Sequence, residues 1–72
     1  MEEFVRASSF LKRLFAEEDC IGMFERQMGS RGNPITHERA ILEWNTRGYH
    51  AKFRLAYAEG KSAREVFAIV NG

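Results

Sequence analysis

Two histidines, one cysteine and ten carboxylates are the side chains of this 72-residue sequence best suited to moving protons, attacking an electrophile or holding a metal. Their spacing argues against all three. Cys20, His37 and His50 are well separated, and no pair has the close spacing of a zinc site. Glu2-Glu3 and Glu17-Glu18 are sequence neighbours, so on a helix they diverge and form no acid–base dyad; they read as charge on a polar face. Cys20 has no basic neighbour to stabilise a thiolate and reads as a small buried hydrophobe. His37, beside a helix start, reads as solvent-exposed. Gly60-Lys61-Ser62 would end a phosphate-binding loop only with glycine at position 55, where Leu55 stands. No catalytic residue, cofactor or metal is expected, and the chain does not read as an enzyme.

Basic residues give the better pattern. Net charge is only +1, which by itself says nothing of nucleic acid, but the charge is unevenly spread. Residues 1–36 carry six acids and five bases, residues 37–72 four acids and six bases. No acid lies between Glu43 and Glu59, where Arg47, His50, Lys52 and Arg54 fall. On a helix, Arg47, His50 and Arg54 lie within about 60° of one another, roughly 90° from Tyr49, Phe53 and Tyr57. On a strand, His50, Lys52 and Arg54 share one face and the aromatics the other. Either way an apolar face can enter the core while a basic face meets solvent. With Arg39, Lys61 and Arg64 flanking them, these residues make the candidate binding face.

The elements that must position them follow from periodicity. Phe4, Ala7, Leu11, Leu14 and Phe15 recur at three and four, one helical face to about Ala16, interrupted by Ser8-Ser9. Asp19 is placed to cap a second short helix, with Ile21, Phe24 and Met28 inward and Gly29 as its stop. Gly29-Ser30-Arg31-Gly32-Asn33-Pro34 is a turn or short loop. Thr36 then caps a helix, with Ile35 packing forward on Ala40 and Ile41, Leu42 and Trp44 continuing the face. Residues 45–59 fit a helix, or a strand entered through a hairpin loop Asn45–Gly48 that ends in left-handed glycine. Few β-branched residues and many Ala, Arg and Lys favour the helix. Ser62-Ala63-Arg64-Glu65 is a capping box opening a last helix with Val66, Phe67 and Val70 inward. The expected fold is all-α, a small compact bundle of three to five short helices. The alternative is an α+β fold with a β-hairpin at about 38–57 packed on N- and C-terminal helices.

Two partial resemblances involve these segments. Residues 53–67, from Phe53 through Gly60-Lys61-Ser62 to Arg64-Glu65-Val66-Phe67, resemble the opening of a helix-turn-helix domain. The sequence given stops at Asn71-Gly72, before the helix that would read DNA. Asn33-Pro34, Trp44 and Gly48-Tyr49 resemble the Pro…Trp…Gly-aromatic pattern of ribosome modulation factor proteins, with the Trp-to-Gly interval one residue longer. The first would imply DNA contact and the second a ribosomal partner.

Totals set the remaining bounds. The chain reads as one domain, 1–72, able to bury roughly 60% of its unfolded surface. An apolar fraction of 44% is too high for disorder. A core this small is often supplemented by self-association, so a homo-oligomer is one expectation. One cysteine permits no internal disulfide, which points to a reducing, cytoplasmic setting. The acidic start has no leader pattern, and no run is long enough to span a membrane. The function expected is that of a small regulatory or interaction protein docking on a larger intracellular protein or nucleoprotein machine, such as a polymerase, nuclease or ribosome. The alternative is nucleic-acid binding without sequence preference through the basic face.

Overall fold

In the computed structural model, which describes the backbone of residues 2–72 and the side chains of residues 9–72, the apolar periodicity resolves into four helices. They are α1 (Glu2–Ser30), α2 (His37–Thr46), α3 (Tyr49–Tyr57) and α4 (Ala63–Asn71), and no strand occurs among the described residues. The bundle is all-α. The hairpin alternative over 38–57 is replaced by α2, a tight joint and α3. Gly48 does adopt the left-handed conformation, φ 74°, but it joins two helices.

Where two short N-terminal helices are expected, the structure has one. Ser8-Ser9 and Gly22 lie inside α1. Each costs helix stability of up to about 1 kcal/mol relative to alanine, too little to break a helix whose later turns bury Cys20, Ile21 and Phe24. Gly29 is not the stop either. The helix closes at Gly32, φ 84°, through a Schellman motif: Asn33 N–H donates to Met28 O at 2.8 Å and Gly32 N–H to Gly29 O at 3.1 Å. Pro34 follows immediately.

The caps of α2 and α4 form as their residues dictate. Thr36 Oγ1 accepts from Arg39 N–H at 3.1 Å. Ser62 and Glu65 exchange the two bonds of the capping box.

The core draws on all four helices: Cys20, Ile21 and Phe24 of α1, Ala40 and Trp44 of α2, Phe53 and Ala56 of α3, Val66 and Val70 of α4. Ile35, Tyr49, Tyr57 and Phe67 pack around them. Of the face expected on α2, Trp44 is fully buried, while Leu42 is 54% exposed. Aromatic edges organise the centre: Trp44 meets Tyr49 at 5.3 Å and Phe24 at 6.2 Å between ring centroids, both edge-on. α3 packs chiefly on α4, and α1 packs chiefly on α2 and α4.

Candidate functional site

A carboxylate sits against the indole at the centre of the bundle. Glu17 follows Leu14 by three residues and precedes Cys20 and Ile21 by three and four, which puts it on the buried arc of α1. Its side chain is 12% exposed. One oxygen, Oε2, accepts from Trp44 Nε1–H at 2.8 Å and faces His50 Nδ1 at 2.7 Å. In the tautomer that carries its proton on Nδ1, the imidazole donates to this oxygen. His50 is half exposed. Leu14, Glu18, Ile21 and Asn45 complete a hollow of about 250 Å³ beside the pair.

In form this is an imidazole oriented by a carboxylate, the pairing used in general base catalysis. Among the described residues, neither a serine nor a cysteine lines the hollow. What the arrangement does is tie α1, α2 and α3 together through one oxygen and satisfy the buried indole donor. Reading Glu17 as surface charge missed this. The signal was its spacing: Glu17, Cys20, Ile21, Phe24 and Met28 form one line at threes and fours, and a carboxylate within such a line must find a donor.

His37 makes a second tie. Its Nε2 lies 2.8 Å from Glu18 Oε1 and its Nδ1 3.0 Å from Glu25 Oε2, so the start of α2 is gripped by two carboxylates seven residues apart on α1. The Glu25 bond raises the His37 pKa above its ordinary 6.5 against an opposing desolvation, and the Glu18 bond adds to the rise. Cys20 is fully buried, with Sγ 3.3 Å from the Ala63 carbonyl. Burial, then the charges of Asp19 and Glu17, push its thiol up to about 11, so it is a thiol at neutral pH.

The seven basic candidates are divided among α2, its C-cap Arg47, α3, the Lys61 turn and α4. Arg39 and Arg47 flank Glu43 on α2, at 2.7 Å and 3.4 Å, and the Arg47 guanidinium also lies 5.2 Å over the Phe24 ring. His50 is on Glu17, and Lys61 lies 3.8 Å from Glu59. Lys52 sits 5.6 Å over the Tyr49 ring. Arg54 and Arg64 are exposed without an acidic partner among the described residues. Arg54 borders a shallow apolar depression with Ala51 and Leu55. No group of three or more metal-ligating side chains occurs among the described residues.

Compared with protein-family models, curated proteins and solved structures, the chain shows no match. The helix–break–helix outline of residues 53–67 is present as α3, Gly60 at φ 80° and α4. Trp44 and Tyr49, which carry the other resemblance, pack on each other in the core. No helix among the described residues is long and apolar enough to cross a membrane.

Proposed function

We propose that this chain is a small interaction module that docks on a larger protein or nucleoprotein assembly and performs no chemistry of its own. One observation carries the reading. Leu55 is 75% exposed on α3, in a depression it shares with Ala51 and Arg54, although the core beside it is closed. A leucine next to a guanidinium that has no acidic partner among the described residues suits a partner segment that presents an apolar side chain flanked by a carboxylate. The thiol of Cys20, buried and held in its protonated form, supports a non-catalytic role for this side chain. A lone buried thiol also suits a reducing compartment such as the cytoplasm.

Photo-crosslinking from position 55 in cells tests the reading. The expected result is one discrete adduct that Arg54→Glu abolishes while a probe at Arg31 gives none. A smear equal at both positions would remove its support.

Arg54 and Arg64 favour a second reading, nucleic-acid contact, but a limited one. With Arg39, Arg47, His50 and Lys61 beside carboxylates, about three cations remain for phosphates, so log affinity should fall with log salt at a slope no steeper than about −3. Arg54→Ala with Arg64→Ala should flatten it by about 2 units on any duplex. No retention of wild-type protein on a filter at low salt would eliminate this reading.

A further inference from the structure

The hollow beside Glu17 offers hydrogen-bond acceptors and few donors. Leu14, Glu17, Glu18 and Ile21 stand at i, i+3, i+4 and i+7 of α1, so one helical face contributes all four. Two carboxylates therefore sit mid-face, with an apolar side chain at each end. Asn45 of α2 and His50 of α3 line the hollow as well.

Most of the donors here are already engaged. Trp44 Nε1–H donates to Glu17 Oε2, and Asn45 Nδ2 donates to Ile41 O at 2.9 Å. With its proton on Nδ1, His50 gives its only N–H to the same Glu17 oxygen. The acceptors are less fully used. Glu17 is only 9% exposed, yet its second oxygen, Oε1, has no partner among the described residues. Glu18 places Oε1 on His37 Nε2, and its Oε2 also has no partner among the described residues. The Asn45 side-chain carbonyl accepts from no donor among them either. Among the described residues, no lysine or arginine lines the hollow. A carboxylate oxygen this deeply set is costly to leave without a donor, and the neighbouring carboxylate adds to the negative potential.

We propose that the hollow binds a primary alkylammonium group, the chemistry shared by a lysine side chain and a free aliphatic amine. An ammonium brings one positive charge and three donors, matched by Glu17 Oε1, Glu18 Oε2 and the Asn45 carbonyl. Methylenes behind the ammonium meet Leu14 and Ile21. The size agrees. A volume of about 250 Å³ falls just below the roughly 300–1,000 Å³ of pockets for drug-sized ligands, and suits a short chain with a few waters. A divalent metal is the poorer occupant, since no three ligating side chains converge among the described residues. The hollow shares no residue with the Leu55 depression, so this proposal and the docking reading can fail separately.

The indole N–H resonance of Trp44 reads occupancy in ¹⁵N-labelled protein, because that N–H bonds the carboxylate that would take the ammonium. Titration with 1-aminopentane at constant ionic strength should shift it, with a dissociation constant of about 0.1–1 mM. Uncharged 1-pentanol should bind at least about 10-fold more weakly. Glu17→Gln keeps an acceptor for the indole but loses the charge, and should weaken the amine at least about 10-fold. Glu18→Gln, at a half-exposed position, should weaken it about 3-fold with circular dichroism unchanged. Nα-acetyl-lysine methylamide and 1,5-diaminopentane separate the two sources. Tighter binding of the lysine derivative assigns the hollow to a lysine of a peptide, and tighter binding of the diamine to a free amine. An indole resonance that none of the three amines shifts overturns the proposal. So does pentanol binding as tightly as 1-aminopentane, or amine binding that neither Glu17→Gln nor Glu18→Gln weakens.

Discussion

Glu17 is the residue on which the three-helix junction depends, because one of its oxygens serves both the buried indole and His50. Glu17→Leu leaves the Trp44 N–H without an acceptor inside the core, which costs about 1–3 kcal/mol, whereas Glu17→Gln keeps an acceptor and should cost less. Urea denaturation followed by emission of the single tryptophan measures both; equal loss for the two variants would mean that packing, not the acceptor, matters. His37 acts on a different variable. Its folded pKa is raised by Glu25 and Glu18, so the stabilisation it brings is complete below about 6.5 and disappears as pH rises through the raised value. The urea midpoint of the wild type should therefore fall as pH rises above about 6.5, and His37→Gln should remove that part of the fall. Identical pH profiles would exclude the clamp as a contributor. Neither tie was legible as a pair in the sequence, since His37 and His50 meet residues of α1 only through the fold. The buried line containing Glu17 was legible, and its meaning follows from the cost of an unpaired carboxylate in such a line.

At the scale of elements, local chemistry was read well where it is stored in a few adjacent residues. The Thr36 cap, the Ser62–Glu65 capping box and the inward faces of α3 and α4 need nothing beyond their own segments. Continuity of α1 was not legible, because serines and a glycine lower propensity locally while distant residues of α2 and α4 bury the turns on either side. The glycines give a test of opposite signs. Gly22 lies in the helix with only the flexible end of Arg26 within 3.7 Å of an added Cβ, so Gly22→Ala should stabilise by about 0.5–1 kcal/mol. Gly48 holds φ 74°, so Gly48→Ala should destabilise by about 1–2 kcal/mol even though the space is open. Thermal melts of the two variants separate these effects, and a stabilising Gly48→Ala would contradict the left-handed joint.

At the scale of the whole molecule, nine buried residues close a core around half of α1 and leave the other half as an arm. The apolar period of that arm was plain in the sequence, but a period does not say which body covers it. Among the described residues, no other helix covers Phe10, Leu11, Leu14 or Phe15 fully. A helical stretch of this length without a packed face is marginal in water. Amide hydrogen exchange tests most directly whether the core closes around the C-terminal half of α1 only. The amides of residues 10–15 are expected to exchange much faster than those of Cys20–Met28. Protection of residues 10–15 equal to that of Cys20–Met28 would contradict this division of α1.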